Sequence, residues 1–225
     1  MSSTSAPALS AYSTCELSDA LIKLGAPHGG HVPDIHLFSP APAPRDFRLC
    51  GPAYTVQMVL ASDRRAPKPP AHFVDTAPSG SVIVISAPPQ TKNAVWGGLM
   101  TAGAQSRGAL GVVISGRCRD LSEHRSSNFP VFARAHSTLG QSPFTRPSQV
   151  NVPVTIHSES AFPALTVNPG DIMVADEDGV VCVPQGDVQK VLELAARGRE
   201  VDAKCLADIK AGKGVQASFK EHRGK

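Results

Sequence analysis

The chain has 225 residues and a formal net charge of +3, from 22 Lys and Arg against 19 Asp and Glu, with 41% apolar and 18% charged residues. These are globular values that exclude wholesale disorder, and without a dominant basic block the composition gives no support to nucleic acid as a partner. No run approaches the roughly 18 apolar residues of a membrane span, and 19 Gly with 20 Pro exclude a coiled coil while favouring many turns and strand ends.

Five cysteines, Cys15, Cys50, Cys118, Cys182 and Cys205, are scattered without a C-x-x-C pair, as expected of free thiols in a reducing compartment. Residues 1–12 read as a flexible, Ser/Ala/Pro-rich N-terminus with no apolar leader core, residues 13–212 as one domain and residues 213–225 as a polar tail. The expectation is a cytoplasmic protein without membrane contact.

In chain order, Ser13 to Gly25 reads as a short amphipathic helix, with Ser13 and Glu16 spaced as a capping box and Gly25 as its stop. Ala26 to Arg48 is a Pro-rich loop. Cys50 to Leu60 and Ser81 to Ser86 (SVIVIS) read as strands, the second buried on both faces, with a short helix near His72 to Thr76 between them. Gly98 to Gly108 reads as a packed helix, Leu110 to Ser115 as a buried strand and Val131 to Ala133 as another, an alternation that implies α/β architecture with parallel pairing.

Further on, Val152 to Ile156, Leu165 to Val167, Ile172 to Asp176 and Gly179 to Val183 read as short antiparallel strands. Turn signals at Asn168-Pro169-Gly170-Asp171 and Glu177-Asp178-Gly179 separate them. From Gly186 a long C-terminal helix runs to near Gly212.

Two segments carry chemistry. Gly97-Gly98-Leu99-Met100, after Trp96, opens a helix, where exposed N–H groups and the helix dipole favour an anion such as a carboxylate. Ser115-Gly116-Arg117-Cys118-Arg119-Asp120 follows a buried strand, and ligands of α/β sheets collect beyond strand carboxyl ends. Arg119 suits a planar carboxylate, and Asp120 offers a hard oxygen to a divalent cation.

The combination of WGGLM, RGALGVVISGRCRDLSEHR and FPVFAR between Trp96 and Arg134, with VNPGDIMVADEDGVVCVP at Val167 to Pro184, resembles the RraA-like family. That family is named for the regulator of ribonuclease activity A, and its enzymatic branch includes 4-hydroxy-4-methyl-2-oxoglutarate aldolases. The resemblance implies a compact α/β sandwich of the swivelling-domain type, assembled as a homotrimer or homohexamer with sites at subunit interfaces. It implies that Arg119 holds a pyruvyl keto-acid substrate, that Asp120 reaches Mg2+ or Mn2+, and that backbone amides of Gly98, Leu99 and Met100 bind the substrate carboxylate. Glu200, from a neighbouring subunit's C-terminal helix, would complete the outer shell of the metal.

This chain departs from the aldolase pattern at two places where many members carry Asp, with Gly98 in the glycine turn and Ser115 at the head of the Arg-Asp motif. Other residue types have structural readings. His28, His31 and His36 fall in a Gly/Pro loop, and Cys118 lacks a paired His. Lys92 is not needed as a Schiff base, and Asp176 and Asp178 suit a turn.

The expected activity is retro-aldol cleavage of a 4-hydroxy-2-oxo acid or oxaloacetate decarboxylation. The alternatives are a different keto-acid or lactone substrate in a specialised pathway, and non-catalytic binding as a regulatory protein.

Overall fold

The computed structural model describes residues 8–158 and 160–224. Its centre is built by β-branched runs, whose side chains pack well on a pleated surface. The strands are β1 (His36–Ser39), β2 (Leu49–Leu60), β3 (Val82–Ser86), β4 (Ala94–Trp96), β5 (Gly111–Cys118) and β6 (Val131–His136), followed by β7 (Thr145–Val150), β8 (Val154–Ile156), β9 (Leu165–Val167), β10 (Ile172–Asp176) and β11 (Gly179–Val183). The helices are α1 (Thr14–Lys23), α2 (Gly98–Ser106), α3 (Leu121–Ser126), α4 (Val188–Lys210) and α5 (Val215–Arg223).

A nine-stranded sheet runs in the order β1-β6-β5-β3-β2-β10-β11, with β4 beside β5 and β7 beside β2, while β8 and β9 form a separate antiparallel pair. Strands β2, β3, β5 and β6 are mutually parallel, and β10 and β11 are antiparallel. The expected α/β sandwich with a long C-terminal helix is present.

Alternation along the central strands feeds two cores. Ile83, Ile85, Val112 and Ile114 pack with Phe73, Trp96 and Phe129 on one face. Val82, Val84, Val113 and Phe132 pack with Val154, Ile156, Leu165 and Val167 on the other. Val82 to Ile85 are all fully buried. At about 1.5–3 kcal/mol each, burial of these four side chains offsets a backbone and side-chain ordering cost of about the same size.

A third core joins α1 and α4 to the antiparallel end. Leu17, Leu21, Val191 and Ala195 meet Ile172, Val174, Val181 and Val183. The buried Asp176 fastens this end by accepting from the Thr14 N–H at 2.9 Å, the Thr14 hydroxyl at 2.6 Å and the Asp178 N–H at 3.0 Å. Arg48 Nη1 stands 3.1 Å from Oδ2, the oxygen that also accepts the Thr14 N–H. The turn role expected of Asp176 is therefore present, with a tertiary role added.

Several expectations are corrected. His72 to Thr76 forms hydrogen-bonded turns, since so short a segment between Pro70 and Pro78 cannot propagate a helix. The loop from Ala26 to Arg48 contains β1, which pairs with β6. The strand read as ending at Ser115 runs on to Cys118, because β4 and β6 supply ladder partners for Arg117 and Cys118.

Strand β7 escapes the sequence reading through Pro147, which is tolerated where β2 bulges between Gln57 and Met58. The polar tail at 213–225 holds α5, whose Ser218 is buried and whose Arg223 bonds Asp202. Of the N-terminus expected to be flexible, residues 1–7 lie outside the described residues. Leu9 is fully buried, and the Tyr12 ring lies 4.2 Å under the Arg199 guanidinium.

The expected capping box is present, with the Ser13 hydroxyl accepting from the Glu16 N–H at 3.2 Å and Glu16 accepting from the Ser13 N–H at 2.7 Å. Glu16 also receives the Arg199 guanidinium at 2.6 and 2.8 Å, which joins α1 to α4 and lowers its carboxyl from 4.5 to about 2. Because the folded value is depressed, this contribution to stability is complete above about pH 4.5 and disappears as pH falls towards 2. Urea unfolding across that window is expected to show a steeper loss for the native chain than for Glu16→Gln.

Candidate active site at the glycine turn

Strand β5 delivers Arg119 and Asp120 to its carboxyl end, and β4 delivers Gly97 and Gly98 beside them. The Arg119 N–H donates to the Trp96 carbonyl at 2.9 Å, which sets the two segments side by side. Asp120 then turns the chain into α3 with a positive φ of 61°, a left-handed conformation unfavourable for most non-glycine residues. This turn aims its carboxylate back at the glycines.

Asp120 Oδ2 accepts from the Gly98 N–H at 2.9 Å and lies 3.5 Å from Arg119 Nε. It therefore caps the N-terminus of α2, where unpaired N–H groups and the helix dipole favour negative charge. A Cβ on Gly97 would stand 2.5 Å from Asp120 Oδ2 and 3.3 Å from Arg119 Nε. One on Gly98 would stand 1.5 Å from Glu123 Oε2. Close approach, not backbone conformation, favours glycine at 97, whose φ of −145° any residue adopts, whereas at 98 a Cβ would first meet the movable end of the exposed Glu123 side chain.

Behind the turn, the Trp96 indole N–H donates to the Thr101 hydroxyl at 2.9 Å, and that hydroxyl meets His124 Nδ1 at 2.9 Å. This chain of side chains joins β4, α2 and α3 beneath the site. Burial holds the His124 ring below its ordinary 6.5, so it serves as a neutral structural link.

The structure brings Arg119, Asp120, Gly98, Leu99 and Met100 together. The Gly98 N–H, expected to meet a substrate carboxylate, is engaged by Asp120. Met100 donates to the Gly97 carbonyl at 3.0 Å, so the Leu99 N–H is the amide of the turn left without an acceptor among the described residues. Glu200 is not part of this grouping within one chain. It lies next to Arg199, which turns towards α1, and at about 100° per helical residue Glu200 projects elsewhere and is exposed.

Ser115 belongs to a different polar cluster. Its hydroxyl accepts from Arg134 Nε at 3.1 Å, and Asp34 balances that guanidinium at 3.1 Å. Cys118 is buried, and burial pushes its thiol up to about 12, which agrees with a bystander. Lys92 is exposed and lacks the burial that activates a Schiff-base lysine. His28 accepts from the Gly30 N–H and His31 meets Phe162 edge-on, as expected of loop residues.

Sequence reading missed Glu123, whose place over Gly98 is visible only once α3 folds back. It also missed the cluster of Asp208, Glu221 and His222 between α4 and α5. There the Lys213 ammonium already lies 2.7 Å from Asp208 and 2.6 Å from Glu221, making an ion-pair clasp. A cleft of about 100 Å³ lined by Arg48, Asp176 and Asp178 lies away from Arg119 and does not include it.

A glycine turn facing an Arg-Asp pair at the end of a parallel strand places this chain among α/β proteins with a mixed sheet, parallel at its centre. Residues 14–182 match the RraA-like family described as Aldolase/RraA, and the chain belongs to that family. It is 29% identical over 210 residues, 93% of its own length, to Protein DlpA of Legionella pneumophila, and spans about a third of that protein (32%).

It is 32% identical over 161 residues to a Halalkalibacterium halodurans protein provisionally named a 4-hydroxy-4-methyl-2-oxoglutarate aldolase, covering 72% of this chain and 71% of that one. An uncharacterized Pseudomonas syringae protein of known structure superposes with a TM-score of 0.79 at 30% identity, over 97% of this chain and 98% of that one. Streptomyces coelicolor RraAS2 superposes at 0.75 with 21% identity, over 90% and 96%, a likeness of fold.

Replacing Gly97 by Ala is expected to drive the Asp120 carboxylate off the Gly98 N–H and destabilise the fold by about 1–3 kcal/mol. In an Asp120→Ala background the same change should cost far less, because the clashing oxygen is gone. Denaturant unfolding of the four variants measures both.

Proposed function

We propose that this chain is a carbon–carbon lyase dependent on Mg2+ or Mn2+, acting on pyruvyl substrates by retro-aldol cleavage of 4-hydroxy-2-oxo acids and by decarboxylation of oxaloacetate. The observation that carries the reading is the Arg119-Asp120 pair folded onto the Gly97-Gly98 turn. The provisional aldolase name of the relative 32% identical to this chain supports the reaction class.

The site fits a hard divalent cation. Asp120 Oδ2 is held by the Gly98 N–H and Arg119, which leaves Oδ1 as an oxygen donor. Such an ion supplies Lewis acidity towards the C2 carbonyl and C1 carboxylate of a pyruvyl group. Arg119, always charged and planar, binds the C2 oxygen as the C3–C4 bond breaks and its electron pair moves towards that oxygen. The Leu99 N–H at the α2 N-terminus binds the substrate carboxylate. In the retro-aldol reaction the C4 hydroxyl proton passes to solvent as C4 becomes the carbonyl of the departing fragment, in oxaloacetate C4 departs as CO2, and protonation at C3 from solvent then completes pyruvate.

A homotrimer or homohexamer belongs to the same proposal. The Arg119 and Asp120 side chains are 44% and 33% exposed, and Leu99 beside them is an apolar residue 82% exposed. An open site with an apolar rim is suited to cover by a neighbouring copy, whose α4 would present Glu200. Among the described residues no helix is long and apolar enough to cross a membrane. Light scattering is expected to report a trimer or hexamer, and a monomer would count against this assembly.

Pyruvate release from oxaloacetate, assayed with and without chelator, tests the reaction. Asp120→Ala is expected to abolish the chelator-sensitive part, with loss of the bond to the Gly98 N–H costing about 1–2 kcal/mol of stability but not the fold. Unchanged turnover at saturating Mg2+ would overturn the reading. Arg119→Lys keeps the charge and loses the planar fork. It is expected to lower kcat by about a hundredfold or more on both substrate types, as for loss of one oxyanion donor; a rise in KM alone would make Arg119 a ground-state binding residue.

A further inference from the structure

The absence of a side chain at position 98 has a specific beneficiary. A Cβ there would lie 1.5 Å from Glu123 Oε2, 2.5 Å from Glu123 Cδ and 3.1 Å from Glu123 Cβ, so the Glu123 carboxylate fills the space a side chain at 98 would occupy. Glu123 lies on the first turn of α3, three residues beyond Asp120, and its N–H donates to the Asp120 carbonyl at 3.0 Å. The left-handed turn at Asp120 therefore sends two carboxylates of one short segment against successive residues of the glycine turn.

Their surroundings differ. Asp120 Oδ2 is engaged by the Gly98 N–H and Arg119, whereas the exposed Glu123 carboxylate makes no hydrogen bond or ion pair among the described residues. The α2 dipole by itself favours the Glu123 carboxylate as an anion, but a second carboxylate near Asp120 that is exposed and engaged by no donor among the described residues keeps its oxygens available to a cation.

We propose that Glu123 supplies, from α3, a second carboxylate of the divalent-cation site beside Asp120, and that Gly98 is glycine to admit it. This rests on the metal-dependent reading above and adds a residue that neither motif spacing nor the family resemblance assigns. Glu123 acts through its charge towards the ion and the water around it, so its loss should weaken ion binding before it affects anything else.

Mn2+ titration of the full chain, read by the electron paramagnetic resonance of the free ion, tests this without a substrate. Glu123→Gln, which keeps shape and loses charge, is expected to weaken Mn2+ binding by about tenfold or more with the melting temperature little changed. Gly98→Ala should do the same by displacing the carboxylate. Gly98→Asp combined with Glu123→Ala returns a carboxylate to the same space from the α2 side and is expected to recover binding.

Native affinity in Glu123→Gln, together with loss of binding in Asp120→Asn, would overturn the role of Glu123 and leave the metal reading standing. A lower melting temperature with unchanged Mn2+ affinity in Glu123→Gln would reduce Glu123 to a structural anion at the α2 N-terminus. No Mn2+ binding by the native chain, with pyruvate release insensitive to chelator, would overturn both.

Discussion

The geometry of the site depends on one hydrogen bond, from the Gly98 N–H to Asp120 Oδ2, between two segments 22 residues apart in sequence. It forms only because Asp120 adopts a left-handed backbone and Gly97 carries no Cβ. The strained turn persists because its surroundings fix it from several sides. The Arg119 N–H is held by the Trp96 carbonyl, His124 is held by Thr101, and Trp96 stacks against Phe129 in the core. Arg119 and Asp120 thus stand on strand ends and a buried aromatic layer, which is how a half-exposed turn keeps its shape.

Much of the fold was legible because period and burial agree. The SVIVIS and LGVVIS runs have too many consecutive β-branched residues for a half-exposed strand, and both became central parallel strands buried on two faces. The capping box at Ser13 and Glu16 is a local signal that the tertiary fold leaves intact. What escaped was fixed by partners distant in sequence. Strand β7 contains a proline that a local reading rejects, and β1 lies inside a Pro-rich loop that only β6 makes extended. Helix α5 is polar and short, and it is secured by Lys213, Asp208 and Glu221 rather than by an apolar stripe.

The site was legible in part for the same reason. Arg119 and Asp120 follow an apolar strand, so their position at its carboxyl end could be read from the pattern. The left-handed turn could not be read, and with it went the placement of Glu123 and the engagement of the Gly98 amide by Asp120. Ser115 illustrates the converse. The resemblance placed it at the head of the Arg-Asp motif, where many family members carry Asp, yet the strand continues past it and directs it to Arg134, whose charge Asp34 balances from another loop.

Strand β2 is 12 residues long and serves both halves of the sheet. Leu49 to Pro52 pair antiparallel with β10, while Ala53 to Gln57 pair parallel with β3 and Val56 to Leu60 antiparallel with β7. The parallel half that presents Arg119 and Asp120 and the antiparallel half that seats the N- and C-terminal helices therefore have one backbone in common, with no linker between them. Neither half can lose its hydrogen-bonded ladder without freeing the edge of the other. The connectivity thus couples the two halves: the strand that pairs with β10 beside the docked α1 and α4 is the same strand that pairs with β3 in the sheet that carries Arg119.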